Sequence, residues 1–238
     1  MKKLTTAILL TAAALGSVSC KKDLVGDGPV TTQTRTVPAF TGIDLRMNGT
    51  VYYTKDAVTK VEITAKESIH SMLETNVVNN QLVIRYYNGK TYDADESIRI
   101  NISAPDLSSF LQNTSGSIYS TNDINVSNLY IRNSGSGNTY LQGVTASNID
   151  AESTQSGRVT ITHGTTQSEK LKSDASGKID LSGVAAKTVT ARTIGSGDIK
   201  VKVSDYLNAT IDGSGSIYFF GYPSLSSHIS GSGQLVRM

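Results

Sequence analysis

The chain has 238 residues, 22 Lys and Arg against 20 Asp and Glu, 21 glycines, one cysteine and no tryptophan. Its net charge of +2 falls to zero once Lys2 and Lys3 leave with a leader, so nothing electrostatic favours a nucleic acid partner. A single cysteine excludes an intrachain disulfide, and a chain this long can bury a core without one.

Met1-Lys2-Lys3 is basic, and Leu4 to Ala14 is apolar but too short to cross a bilayer. Residues 1–19 therefore read as an export signal. The run Ser17-Val18-Ser19-Cys20 resembles a bacterial lipobox, with Ser17 standing where Leu is usual. The resemblance implies that Cys20 is acylated and becomes the mature N-terminus; the alternative is an ordinary secretory signal with an incidental cysteine. Each buried acyl CH₂ is worth ~0.8 kcal/mol, so two or three chains would hold the protein on a membrane. Residues 20–36, rich in Gly, Thr and charge, read as a flexible tether.

Residues 37–110 are irregular. Gly49-Thr50-Val51-Tyr52 opens one strand, and Lys60 to Thr64, Leu82 to Tyr86 and Ile98 to Ile102 alternate as others. Ile69, Met72 and Leu73 are spaced for one face of a short helix. We expect the irregular first coils of the array that follows, interrupted by an insertion.

Residues 111–238 are periodic. The phrase Gly, one polar residue, then usually a branched aliphatic recurs at Gly116, Gly137, Gly157, Gly177, Gly197, Gly215 and Gly233. Successive glycines lie 21, 20, 20, 20, 18 and 18 residues apart. Such a period marks stacked coils, none able to bury its apolar face alone. Two and four residues after each glycine the side chains are mostly aliphatic, as at Ile179 and Leu181, with polar residues between. That is a half-buried strand. A second strand precedes the glycine, with Leu129, Ile149, Glu169, Val189, Leu207 and Leu225 in one inward row. Glu169 suggests a local register slip. Asn133, Ser153, Ser173 and Thr193 form a polar row that, if inward, must bond to the coils above and below. The Ser-Gly-Ser-Gly turns require either positive φ or a site with no room for a Cβ. The expected fold is all-β: a single-stranded parallel β-solenoid with coils of 18–21 residues. A right-handed coil is the default, although the residues do not fix the hand. Seven coils at ~4.8 Å each make a rod of roughly 34 Å. A leucine-rich repeat is rejected because no coil has helical periodicity.

Few residues suggest chemistry. His70, His163 and His228 have no metal spacing and read as solvated turn or edge residues. Asn88-Gly89-Lys90-Thr91 imitates a phosphate loop, but Ile84 occupies the required upstream glycine position. No aspartate ladder for calcium accompanies the coils. Neither cofactor nor metal is expected. Asp150 and Glu152 share one side of a strand, as the carboxylates of a β-helical lyase or hydrolase would. Their neighbours Arg132, Lys170 and Lys172 favour a salt ladder instead. Tyr119, Tyr140 and Tyr218 share an outward row, with Tyr130 one strand back. They form a candidate binding row for sugar rings or a protein partner, though stacking between strands explains Tyr119 and Tyr140 equally well.

The leader with its lipobox, then Phe40-Thr41-Gly42-Ile43-Asp44-Leu45, Gly49-Thr50-Val51-Tyr52 and Pro105-Asp106-Leu107 before repeated Ser-Gly-Ser-Gly, resembles the putative autotransporter adhesin head GIN domain family. The resemblance covers residues 37–238. It implies a β-solenoid on an exported, often lipid-anchored Bacteroidota protein, here on the outer membrane with its periplasmic or surface face open. It brings no set of functional residues. The expectation is a non-enzymatic envelope protein that offers its surface to a protein or glycan. The alternatives are a carbohydrate-active β-helix using Asp150 and Glu152, and a structural protein that self-associates through its solenoid ends.

Overall fold

The computed structural model describes residues 26–87 and 97–238. The leader, Cys20 and Asn88-Gly89-Lys90-Thr91 lie outside the described residues. The N-terminal part contains β1 (Val30–Arg35), β2 (Gly42–Leu45), β3 (Thr50–Lys55), β4 (Lys60–Lys66), α1 (Glu67–His70), β5 (Leu73–Val78), β6 (Gln81–Tyr86) and β7 (Arg99–Ala104). The array follows with β8 (Ser109–Gln112), β9 (Ser117–Ser120), β10 (Ile124–Asn133), β11 (Asn138–Ser153), β12 (Arg158–Ser173) and β13 (Lys178–Thr193). It ends with β14 (Ile199–Ile211), β15 (Ile217–Phe220), β16 (Ser224–Ile229) and β17 (Leu235–Arg237).

From β8 onward each strand lies parallel on the one a coil earlier, giving a β-solenoid of about 6 turns. Residues one period apart are partners, as in Thr139 with Val159, Val159 with Ile179 and Ile179 with Ile199. Aliphatic side chains two and four residues after each glycine fill continuous inner columns and are buried up to Phe219. Each such side chain removed from water contributes about 1.5–3 kcal/mol, provided a neighbouring coil covers it.

The turn glycines owe their place to contact. None of the seven has positive φ. A Cβ on Gly197 would lie 1.8 Å from the carbonyl oxygen of Gly177, and one on Gly215 2.1 Å from that of Gly197. Glycine therefore packs on glycine down the corner. The polar row is inward and fully buried, and its short hydrogen bonds lie within its own coil, while Asn133 also reaches the Arg158 carbonyl of a later coil at 3.4 Å. Asn133 Nδ2 donates to the Gly137 carbonyl at 2.6 Å, Ser173 Oγ to that of Gly177 at 2.6 Å, and Thr193 Oγ1 to that of Gly197 at 2.7 Å. Each side chain closes the turn that follows it.

Glu169 brings no register slip. It pairs in sequence with Ile149 below and Val189 above, its side chain 2% exposed. Neither carboxyl oxygen has a hydrogen-bond partner, and burial pushes the group well above the usual carboxylate range. A neutral acid fits a slot that a carboxylate would not. The slip comes one coil later, between β13 and β14, around Leu181 and Ala186, where the period shortens to 18. The two-strand reading of a coil also missed a third inward stretch, represented by Val144 and Ala146, then Val184 and Ala186. β11, β12 and β13 run through it as unbroken 16-residue strands.

The irregular N-terminal coils are not stacked in chain order. β2 and β3 pair with β8 and β9 on one side and with β6 and β7 on the other. Hence β6 and β7 form the outermost rung and β2 and β3 the next. The free edges of this rung are closed by antiparallel strands, β5 on β6 and β4 on β7, with β1 on β4. Val30–Arg35, read from sequence as tether, is thus held along its length by Val61–Lys66. A short helix is present as α1, with Ile69 buried, but it ends at His70, so Met72 lies in a turn and Leu73 opens β5. His70 is buried as well, 3% exposed with Nε2 3.1 Å from the Thr31 carbonyl, and is no solvated edge residue.

Candidate functional site

Strand alternation that turns Ile179 and Leu181 inward turns the residues between and before them outward. On the strip made by β3, β9, β11, β12, β13, β14, β15 and β17, one outward row can be followed rung by rung. It runs Tyr52, Tyr119, Tyr140, Thr160, Asp180, Lys200, Tyr218 and Val236. Tyr119, Tyr140 and Tyr218 therefore share a row, but only Tyr119 and Tyr140 are neighbours. Tyr52, whose outer neighbour in the row is Asn101, is the first of these tyrosines and was missed, although Gly49 places it at the same offset as the others.

The first three rings form a ladder. Tyr52 and Tyr119 stack at 5.6 Å with 20° between planes, and Tyr119 meets Tyr140 at 6.1 Å and 42°. Arg99 lies over the Tyr52 ring at 4.2 Å and closes the outer end. At the inner end, Tyr140 meets the small Thr160 and its ring is open. A cavity of about 490 Å³ lies there, lined by Tyr119, Tyr140, Arg158, Thr160 and Lys178 among others. A second, of about 330 Å³, lies between Arg158 and Lys178 on one side and Lys200 and Tyr218 on the other. Lys178 Nζ is 3.6 Å from Asp198, and Lys200 Nζ is 5.9 Å from the centre of the Tyr218 ring.

Tyr130 is elsewhere. It belongs to the outward row of the other strand, between Ser109 and Asp150, and is 38% exposed. Asp150 and Glu152 lie on that same side, in a ladder of opposite charges. Glu152 is held by Arg132 at 3.4 Å and Lys172 at 3.3 Å, and Asp150 by Lys170 at 3.6 Å. Lys172 also reaches Asp174 at 2.6 Å, and this hydrogen bond, with help from Glu152, raises the lysine above its ordinary value. Exposed pairs of this kind contribute little singly. They do set a cation beside each carboxylate.

His163 spans Gly143 to reach Asp123, Nε2 to Oδ1 at 3.0 Å, on an exposed edge. The adjacent Thr162 hydroxyl is committed to the Gln142 carbonyl. Among the described residues, no group of three or more His, Cys, Asp and Glu side chains could hold a metal ion.

The protein of known structure from Bacteroides fragilis described as a putative adhesin is 26% identical, covering 90% of this chain and 100% of its own, with a TM-score of 0.85. A putative adhesin from Parabacteroides merdae is 18% identical over 91% of this chain and 99% of its own, TM-score 0.73. A protein from Parabacteroides distasonis described as a putative lipid binding protein is 22% identical over 91% of this chain and 100% of its own, TM-score 0.74. The last two likenesses speak for the fold alone. No curated protein matches the chain. A family model described as putative auto-transporter adhesin, head GIN domain, matches residues 39–223, and the chain belongs to that family.

Proposed function

We propose that this is a non-enzymatic, adhesin-like protein of the cell envelope, anchored through acylated Cys20, whose tyrosine-bearing strip is the surface offered to a partner. The observation that carries the reading is the open ring of Tyr140 at a cavity that adjoins a second one, through Arg158 and Lys178, toward Tyr218. The adhesin description of the Bacteroides fragilis protein supports it. The cations facing Asp150 and Glu152 favour a structural ladder over an acid and base pair.

The test is retention under flow of cells that display the full chain, on glycan-coated and protein-coated surfaces. A Tyr119→Ala, Tyr140→Ala double variant, matched for surface amount, is expected to lose retention. Equal retention on every surface overturns the reading. The anchor is tested separately: palmitate labelling and globomycin-sensitive processing are expected in the wild type and absent in Cys20→Ala. Unchanged fractionation of that variant sinks the lipid.

A second reading has its own observation. Every residue of β16 is exposed, including Leu225 and Ile229, which continue columns buried one coil earlier. An open strand edge invites pairing, and a second copy is the partner proposed here. Light scattering of the full chain at rising concentration tests it, and a constant monomer mass rules it out.

A further inference from the structure

Arg158 and Lys178 line both cavities of the outward strip, so the two form one trough along the axis. Its row runs from Tyr140 through Thr160, Asp180 and Lys200 to Tyr218. Four rung steps at ~4.8 Å separate the two tyrosines by about 19 Å. The charges in between are unequally committed. Asp180 Oδ1 accepts from the amide and hydroxyl of Ser182 at 3.2 and 2.6 Å. Asp198 accepts from the Ser216 amide at 3.0 Å and faces Lys178. Arg158 and Lys200 have no ion pair among the described residues, and Lys200 faces the ring of Tyr218. Asp180 has no ion pair among the described residues either, so the trough sets three cations, Arg158, Lys178 and Lys200, against two carboxylates, Asp180 and Asp198. The remaining lining is rich in hydroxyl and amide groups at the Tyr140 end, from Asn138, Ser156 and Thr160, and includes Ile179 and Met238 at the Tyr218 end.

We infer that this trough binds a carboxylated oligosaccharide, with acid groups on Arg158 and Lys200 and sugar rings against Tyr140 and Tyr218. The inference rests on the reading of the strip as the interaction surface. Guanidinium matches a carboxylate bidentately, hydroxyl-rich walls match sugar hydroxyls, and aromatic faces match the apolar face of a pyranose. An acidic peptide fits less well. The backbone of this strip is already paired strand to strand, so a peptide cannot add as a further strand.

Calorimetric titration of the purified full chain with oligomers of galacturonate, alginate and hyaluronan, each beside its carboxyl-reduced form, tests the inference. At least one acidic oligomer should bind, its affinity falling as salt rises. Its reduced form should bind at least about tenfold more weakly, as should the acid to Arg158→Glu. Arg158 is exposed, so the melting temperature of that variant should match the wild type. Equal binding of acidic and reduced forms overturns the role assigned to charge and leaves the strip a glycan surface. If no acidic oligomer binds while cell retention still depends on Tyr140, the inference falls alone. If retention is also indifferent to Tyr140, the reading beneath it falls too. Arg158-dependent binding of a polyglutamate peptide, without any oligosaccharide, assigns the trough to an acidic protein segment instead.

Discussion

The two ends of the rod are built from the same kind of strand and differ in what lies beyond them. At the N-terminal end the outermost rung is closed by antiparallel β4 and β5, and α1 seats Ile69 beneath them. At the other end β16 pairs on one edge only. Leu225 is 52% and Ile229 46% exposed, whereas their column neighbours Leu207 and Ile211 are both 0% exposed. Identical positions in the repeat therefore carry very different energies. Burial here is a property of having a neighbour on each side, and only secondarily of residue type.

The comparison is broken most severely at the glycine corner. Gly197→Ala puts a methyl group 1.8 Å from the Gly177 carbonyl, with coils packed above and below. It should cost about 4 kcal/mol or more, or abolish folding. Gly233→Ala makes a similar clash, 1.9 Å from the Gly215 carbonyl, but in the last rung, which can lift. About 1 kcal/mol is expected there, read by urea denaturation. Equal losses at the two sites would show that the last rung is as tightly held as the middle.

The aliphatic columns offer a milder contrast. Ile211→Ala should cost about 2–5 kcal/mol by cavity formation, and Ile229→Ala less than about 1 kcal/mol. A large loss at Ile229 would mean that something covers β16 in solution.

Glu169 inverts the contrast, because an acid occupies an enclosed slot in the column that ends with exposed Leu225. Its pKa is raised in the folded protein. Its contribution to stability is therefore fully present below the unfolded value and is lost as pH rises toward the folded one. Stability should fall from about pH 4.5 upward, by at most ~1.4 kcal/mol per pH unit from this group. Glu169→Leu should remove that slope and raise the midpoint of urea denaturation at pH 7. An unchanged slope would mean the carboxyl reaches water. Buried Tyr53, pushed up to about 12 chiefly by desolvation, acts in the same direction at the alkaline limit, between pH ~10 and its own value.

The regular coils were legible because two signals repeat together: glycine at a fixed spacing and alternation with period two. Every coil repeats that evidence, so Glu169 could not disturb the register. The N-terminal stacking was not legible. Gly49-Thr50-Val51-Tyr52 matches the repeat phrase wherever it is placed along the axis, and its position is fixed by pairing with strands that come later in the chain. His70 and Val30–Arg35 escaped for a related reason, being packed by contacts with distant segments. Within the candidate site, the row of Tyr119, Tyr140 and Tyr218 could be counted from the glycines. The trough could not, because it depends on which charges pair across neighbouring coils, as Lys178 does with Asp198.

The inverted order of the first rungs governs how the chain can assemble. A polypeptide delivered N-terminus first presents residues 42–55 before either of the strand pairs that must sandwich them. The base therefore cannot grow by simple winding. It waits until residues up to about 120 have emerged, after which each new turn adds to a finished template.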